Sequence, residues 1–144
     1  MAFRIQAATD VTPELEVALA VLLPQLNPKF PAPTAERLRE LIADESVTLL
    51  IASDESAIVG TATVIVYKTP AWTKALVEDV VVDERARGRG AGEALMRACI
   101  DVARDRGAQM VELQSASFRE AANRLYPRLG FELRDTNFYR MTLD

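Results

Sequence analysis

Histidine is absent from this chain of 144 residues, and cysteine occurs once, at Cys99. Without histidine, a Ser-His-Asp triad, a Cys-His nucleophile pair and a histidine-ligated zinc site are excluded. A single cysteine likewise excludes an intrachain disulfide, a CxxC redox pair and a cysteine-based zinc site. A lone thiol in a chain of this size suits the reducing cytoplasm. We therefore expect a cytoplasmic protein without a bound metal.

Long apolar runs and an excess of basic residues are also missing. The longest apolar stretch, over residues 15–26, contains Glu16 and falls short of the roughly 20 residues that cross a bilayer. The first residues lack the basic start and the apolar run of a signal peptide. The chain has 17 Lys and Arg against 21 Asp and Glu, which gives a net charge of −4. This balance argues against nucleic acid or an anionic membrane as the partner.

Hydrophobic residues make up 49% of the chain and charged residues 26%, which is the composition of a soluble globular domain. Because no linker-like or repeated segment interrupts it, residues 1–144 are interpreted as a single domain. Hydrophobic periodicity and turn residues predict the order β-α-α-β-β-β-α-β-α-β-β, an α/β fold with a mixed sheet. The predicted strands cover residues 3–7, 47–52, 57–67, 76–82 and 110–113, with two more between 132 and 143.

Glycine is scarce, with six residues in all, yet three of them fall within five positions, at Gly88, Gly90 and Gly92. They lie between a valine-rich predicted strand and a predicted helix. Glycines at a helix N-terminus expose backbone N–H groups and the positive end of the helix dipole, which suits a phosphate. The sequence therefore predicts a phosphate or pyrophosphate cradle, and a plain glycine-containing turn is the alternative.

Three arginines, Arg85, Arg87 and Arg89, add positive charge to this turn in a chain that is acidic overall. They strengthen an anion site if one exists, and otherwise they form a solvated cluster. The turn is not a P-loop, since no Gly-Lys-Ser/Thr follows the glycines. Its GxGxG spacing and its place past the middle of the chain also differ from the dinucleotide-binding fingerprint. The residues alone leave the phosphate ligand open.

Motifs in and beyond the turn carry a family resemblance. Arg87–Gly92 (RGRGAG) matches the Q/R-x-x-G-x-G/A signature of GCN5-related N-acetyltransferases, the GNAT family. Val77–Val82 (VEDVVV) resembles the fourth strand of that family, and Leu125–Phe131 (LYPRLGF) resembles its late LY-x-x-LGF element. The spacing of the motifs and the predicted element order also agree. The resemblance covers residues 76–131 and implies a central, mostly antiparallel mixed sheet flanked by about four helices.

The resemblance implies direct transfer of an acetyl group from acetyl-coenzyme A (acetyl-CoA) to a primary amine, without an acyl-enzyme. By the same resemblance, backbone N–H groups of the turn hold the pyrophosphate. Backbone groups of the preceding strand hold the pantetheine arm and help to polarise the thioester carbonyl. The implied cofactor-binding residues are Val80, Val81, Val82, Arg87, Gly88, Arg89, Gly90, Ala91 and Gly92.

Two side chains are implied in the chemistry. Glu78 matches the family's general base, which takes the proton of the attacking amine. Asp79 lies on the opposite face of a regular strand and is the reserve candidate, because a bulge would change that alternation. Tyr126 matches the tyrosine that supplies its hydroxyl to the departing sulfur. The alternatives are an exposed or ion-paired Glu78 and a core aromatic at Tyr126.

The chain departs from the family pattern at two positions near this tyrosine. Pro127 follows Tyr126 directly, and proline disfavours a helical conformation at the residue before it, so a kink is expected there. Arg119 stands where the family often has an asparagine that contacts the cofactor. Asn123, three residues before the tyrosine, is the implied substitute.

The resemblance implies that residues 27–33, 69–74 and 135–139 line the acceptor site. Their aromatic residues, together with acidic residues, suit a small cationic amine, and residues 119–140 resemble aminoalkylphosphonate and aminoglycoside acetyltransferases. The candidate substrate-binding residues are Phe30, Trp72, Asp79 and Tyr139. A protein N-terminal or lysine acetyltransferase and a non-catalytic acetyl-CoA-binding module are the alternative functions, and a homodimer is left open.

Overall fold

The computed structural model describes residues 3–144, and these contain five strands and four helices. The strands are β1 (Arg4–Ala7), β2 (Val47–Ser53), β3 (Ile58–Lys68), β4 (Thr73–Val82) and β5 (Met110–Leu113). The helices are α1 (Pro13–Leu26), α2 (Ala35–Ala43), α3 (Ala91–Asp105) and α4 (Glu120–Arg128). A short 3-10 turn, Glu84–Ala86, follows β4.

The strands form one sheet in the order β1-β2-β3-β4-β5. Neighbours are antiparallel from β1 to β4, and β5 runs parallel to β4. A parallel neighbour needs a crossover connection, which α3 supplies. The predicted α/β fold with a mixed, mostly antiparallel sheet is therefore confirmed, and the order of elements agrees as far as α4.

The C-terminal segment differs from the prediction of two further strands between residues 132 and 143. Within residues 3–144, α4 is the last regular element, and Leu133, Tyr139 and Leu143 are exposed. Alternating side chains favour a strand, but a strand forms only where its N–H and C=O groups pair with a neighbour. The residue pattern does not supply that neighbour, which is the physical reason for the difference.

Contacts divide the chain into two compact units, one ending at Gln114 and one spanning Ser115–Asp144. The first unit holds the sheet with α1, α2 and α3, and the second holds α4 and the C-terminal segment. Among residues 3–144, no helix has both the length and the apolar character needed to cross a membrane. The same residues contain no cluster of three or more side chains that could hold a metal ion.

Helices α1 and α2 pack on one face of the sheet. Leu15 and Leu19 of α1 and Leu38 of α2 form a buried cluster with Leu49 and Ile51 of β2. Leucines spaced three to four residues apart give each helix an apolar stripe, and burial of that stripe holds the helix on the sheet. The two helices therefore cover the face to which Leu49 and Ile51 point.

Helix α3 packs on the opposite face, close to the backbone of β3. Gly60 pairs with Ala52, and paired residues lie on the same face of the sheet. Because neighbours along a strand alternate, Gly60 lies on the face opposite to Ile51. A Cβ atom on Gly60 would lie 3.0 Å from the Leu95 side chain and 3.1 Å from the Val81 carbonyl oxygen. Glycine at this position lets α3 approach the sheet, a role that the sequence did not reveal.

The single thiol lies inside this packing. Cys99 is fully buried on α3 together with Leu95 and Met96. Burial raises the pKa of the Cys99 thiol to about 12, so the nucleophilic thiolate is scarce at neutral pH. Its burial identifies Cys99 as a small core residue.

Candidate active site

Strand β4 contains a bulge at its two acidic residues. In the ladder with β3, the partners step from Glu78–Thr63 to Val81–Thr61, so two residues of β4 face one residue of β3. Asp79, inside the bulge, takes the left-handed conformation with φ 53°, which costs a non-glycine residue about 1 kcal/mol or more. Bulges and strained residues are frequent beside active sites. The bulge therefore marks Glu78 and Asp79 as candidate functional groups.

Both carboxylates belong to the sheet face that α1 and α2 cover. Paired residues of an antiparallel ladder point to the same face, so Glu78 lies on the face of its partner Thr63. Asp79 lines a cavity together with Thr61 and Thr63. The alternation of a regular strand would separate the two acidic residues, but it does not apply across the bulge.

The cavity lies between the sheet and helices α1 and α2, and its volume is about 60 Å³. Its polar lining residues are Thr61, Thr63 and Asp79. The Thr61 hydroxyl donates a hydrogen bond to the Leu50 carbonyl at 2.9 Å. The other lining residues are aliphatic: Leu19, Leu23, Pro33, Leu38, Leu41 and Leu49.

Asp79 is the acidic group of this cavity. Asp79 is an exposed residue overall, but partial burial of its carboxyl raises the pKa above the ordinary value of an aspartate. The cause is desolvation, since aliphatic surroundings disfavour the charged form. A cation that entered the cavity would offset this penalty, so the site suits an ammonium group.

The glycine-rich turn has the geometry of an anion site. Gly88 and Gly90 take φ values of 81° and 91°, and Cβ atoms on them would meet no atom of the described residues within 4 Å. Gly90 is the N-cap of α3, and without a side chain it cannot cap the first-turn N–H groups. By contrast, the hydroxyls of Thr12 and Thr34 cap α1 and α2. Open space and uncapped N–H groups at the positive end of a helix dipole fit a phosphate.

Two arginines tie this turn to its surroundings. Arg87 donates from Nε to the Val82 carbonyl at 3.0 Å. The Arg89 guanidinium lies 3.5 Å from the Asp54 carboxylate and 5.6 Å from the centroid of the Phe3 ring. The predicted positive charge is present at the turn, and these contacts give it a structural role as well.

Asp83 is a structural residue of the site that the sequence motifs do not indicate. It is buried at the end of β4, and its carboxylate accepts a hydrogen bond from the Arg85 guanidinium at 2.8 Å. Its own N–H donates to the Val59 carbonyl at 2.7 Å. The hydrogen bond from Arg85 lowers the pKa of the Asp83 carboxyl to about 2. The sequence signal for this role is an acidic residue placed directly between a strand and a turn.

We predict that Asp83→Asn lowers the free energy of unfolding by about 2 kcal/mol at neutral pH, the scale of a hydrogen bond to a charged group. Because the pKa of Asp83 is lowered in the folded state, the carboxylate's contribution to the free energy of unfolding is complete above pH 3.8. That contribution is lost as the pH falls through about 2. Urea unfolding across this pH range should therefore show a difference in stability between the wild type and Asp83→Asn that becomes smaller in acid.

The matched control for this prediction is Asp101→Asn. Asp101 forms an exposed pair with Arg104 at 3.7 Å, so its loss should cost less than about 1 kcal/mol. Equal destabilisation by the two substitutions would contradict the role assigned to Asp83.

The valine run of β4 has a backbone edge beyond its pairing with β5. The ladder between β4 and β5 covers Lys74–Val77. Val81 and Val82 lie beyond this ladder and pair with β3, and among residues 3–144 no strand flanks them on the other side. The Val81 side chain is buried and serves the core. An extended ligand arm can therefore pair with this edge while the side chains keep their packing.

In the second unit, Tyr126 lies on α4. Its ring packs edge-on against Phe131, with ring centroids 5.9 Å apart. Pro127 lies inside α4, and the Leu129 N–H donates to the Leu125 carbonyl at 3.2 Å. The helix therefore continues past the proline, because the missing N–H of a proline in the last turn costs a single hydrogen bond.

Asn123 and Arg119 lie at the start of the same helix. Arg119 is the N-cap of α4, and its carbonyl accepts a hydrogen bond from the Asn123 N–H at 3.0 Å. The Asn123 side-chain amide donates to the Ala116 carbonyl at 2.9 Å. Asn123 thus anchors the segment before α4, and its cofactor contact stays a prediction.

The candidate substrate-binding residues are not all brought together. Phe30 lies half-buried in the connection between α1 and α2, which also supplies Pro33 to the cavity. Trp72 is exposed in the turn between β3 and β4. Seven residues at 3.3 Å each separate it from Asp79 by about 23 Å along β4. Tyr139 is exposed in the second unit. Asp79 lines the cavity of the first unit.

The chain is similar to several known acetyltransferases. A streptothricin acetyltransferase from Streptomyces lavendulae is 40% identical over 62 residues, which are 42% of this chain and 33% of that protein. An uncharacterized N-acetyltransferase from Methanocaldococcus jannaschii is 41% identical over 56 residues, 39% of this chain and 25% of that protein. The match therefore spans a third or less of the length of these two relatives.

Solved structures share the fold. An aminoglycoside acetyltransferase from an uncultured soil metagenomic sample aligns with a TM-score of 0.83 and 21% sequence identity, over 98% of this chain and 97% of that chain. The model of the acetyltransferase (GNAT) family matches residues 15–131, a range that includes the bulged strand, the glycine-rich turn and Tyr126. Since this range is well over half of the chain, the chain belongs to the acetyltransferase (GNAT) family.

Proposed function

We propose that this chain is an acetyl-CoA-dependent N-acetyltransferase that transfers the acetyl group directly to a primary amine of a small molecule. The glycine-rich turn carries the proposal, because Gly88 and Gly90 leave open space before the N-terminus of α3. Family membership supports the reaction class. The name of the streptothricin acetyltransferase relative supports a small-molecule acceptor.

The chain's own groups fit acetyl-CoA as a polyanionic cosubstrate. Its pyrophosphate would lie on backbone N–H groups of residues 87–92, where the helix dipole is positive. Its pantetheine arm would pair with the β4 edge at residues 80–82. The cosubstrate supplies the activated acetyl group, and the protein supplies binding, orientation and a proton acceptor.

A carboxylate is needed because the acceptor amine is protonated at neutral pH. An alkylamine has a pKa near 10.4, so its free base costs roughly 4 kcal/mol. We assign Glu78 as the general base that takes this proton, directly or through water, and a positioned base contributes about 10²- to 10⁴-fold to the rate. Asp79, which lines the cavity, holds the ammonium before the proton is lost.

We propose that the Tyr126 hydroxyl donates to the thiolate that leaves. Tyr126→Phe keeps the ring that packs on Phe131 and removes the donor, so we predict about a 10²-fold fall in kcat. The KM for acetyl-CoA should change little. Steady-state kinetics measures both, with Tyr67→Phe on β3 as the control for losing a phenol. A wild-type kcat for Tyr126→Phe would contradict this role.

An acceptor screen tests the proposed function. Thiol release, with mass spectrometry of the products, is measured for small primary amines, for peptides with free N-termini and for lysine peptides. Turnover of small amines supports the proposal. Turnover confined to peptides would indicate protein acetylation instead. Acetyl-CoA binding by calorimetry without turnover of any acceptor would indicate a non-catalytic binding module.

A further inference from the structure

We infer that the acceptor is a primary monoamine with a short aliphatic body, whose ammonium lies at Asp79 and whose carbon chain fills the cavity under α1 and α2. The inference rests on the proposed N-acetyltransferase function and narrows its acceptor class. It differs from the polycationic acceptors that a resemblance to aminoglycoside acetyltransferases suggests.

The cavity is apolar at its floor and acidic at its rim. Leu19, Leu38 and Leu49 line it and are each at most 6% exposed, so they form the floor. Asp79 lines the same cavity but is an exposed residue overall, which places it where the cavity meets solvent. An ammonium at the rim with a carbon chain toward the floor satisfies both regions.

The charge of the cavity fits one cation. Of the described residues that line it, Asp79 alone is ionisable. A second ammonium at the far end of a chain that fills the cavity would lie away from both acidic residues and face the leucines of the floor, and an unpaired charge in aliphatic surroundings is strongly disfavoured. The threonines add hydroxyl groups without charge, and that of Thr61 already donates to the Leu50 carbonyl. The lining therefore selects a monoamine over a diamine or an aminoglycoside.

The size of the cavity sets the length of the acceptor. Its volume of about 60 Å³ is less than half of the roughly 150 Å³ of an apolar cavity that binds benzene. Such a space takes a chain of a few carbon atoms and not a ring system. In a series of n-alkylamines we expect kcat/KM to rise about fourfold per buried methylene, which is 0.8 kcal/mol converted to a ratio. The rise should stop once the cavity is filled.

The sharpest kinetic test compares n-pentylamine with 1,4-diaminobutane. The two have the same number of heavy atoms, and the diamine carries an ammonium where the monoamine carries a methyl group. We expect at least a 30-fold higher kcat/KM for n-pentylamine. Equal values, or a preference for the diamine, would overturn the inference.

A matched pair of variants tests whether the cavity lining sets this preference. Leu23 lines the cavity and is half-buried, so Leu23→Glu would place a second carboxylate there. We expect Leu23→Glu to shift the preference toward the diamine by about tenfold relative to Leu23→Gln, which removes the same leucine without adding charge. The same preference in both variants would contradict the assignment of the cavity.

Direct binding separates this inference from the proposed function. Leucine methyl NMR spectra should show n-pentylamine perturbing the cavity leucines, and Asp79→Asn should weaken binding at least tenfold. Asparagine tolerates the left-handed conformation of residue 79, so this variant should fold. Binding without acetylation would leave the cavity assignment standing and refute the proposed function. Acetylation of other amines, without perturbation of the cavity leucines, would refute the inference alone.

Discussion

Glu78→Gln should lower kcat by about 10²- to 10³-fold and remove the rise in activity that accompanies deprotonation of a base. Glutamine keeps the size of glutamate but accepts no proton at neutral pH. The defect should shrink for a fluorinated amine whose pKa lies below the assay pH, since that acceptor is already a free base. The measurement is the pH dependence of kcat for two acceptors that differ mainly in basicity.

Asp79→Asn is the matched control for the base. Both acidic residues lie at the bulge of β4, and both substitutions exchange a carboxylate for an amide. Because Asp79 is assigned to hold the ammonium, its loss should raise the KM for the amine more than it lowers kcat. If Asp79→Asn flattened the pH profile and Glu78→Gln did not, the two roles would have to be exchanged.

Gly90→Leu should weaken acetyl-CoA binding at least 100-fold while the protein still folds. Gly90 has φ 91° and open space in front of it, so a leucine side chain would project into the space assigned to the phosphate. The left-handed conformation adds a penalty of about 1–2 kcal/mol to folding. Calorimetric titration with acetyl-CoA and thermal unfolding measure the two effects separately.

Gly107→Leu is the control for backbone strain. Gly107 also has a positive φ, 79°, and open space around its Cβ position in the described structure, but it follows the C-terminal end of α3. It should lose about the same stability as Gly90→Leu and keep the wild-type affinity for acetyl-CoA. Undiminished affinity in Gly90→Leu would mean that the pyrophosphate binds elsewhere.

The strand, turn and helix around the glycines could be predicted from sequence because their signals are local. A valine run predicts β4, clustered glycines predict positive φ values, and leucine and alanine spacing predicts α3. The end of α3 is similar, since Gly107 follows the C-cap residue Arg106 and takes the left-handed conformation that glycine favours at this position. Each of these features depends on residues that are close together in the chain.

The bulge and the cavity could not be predicted in this way. The position of the bulge depends on the register between β3 and β4, and the cavity depends on how α1 and α2 pack over the sheet. The role of Gly60 likewise follows from the approach of Leu95. These features arise from contacts between distant parts of the chain, which a local pattern does not specify.

The aromatic acceptor residues show the same limit of local patterns. Loop position and aromatic character suggest Trp72 as a neighbour of Asp79, but the length of β4 separates them. The strands predicted after α4 need a partner that the alternation of apolar residues does not provide. In both cases, the residue types alone do not determine how the residues are arranged in space.

A crystal structure with coenzyme A bound would show whether the glycine-rich turn holds the pyrophosphate. We expect the pyrophosphate on backbone N–H groups of residues 87–92 and the pantetheine arm along the β4 edge at residues 80–82, with the sulfur beside the bulge at Asp79. Coenzyme A bound away from the glycine-rich turn would contradict the proposed function.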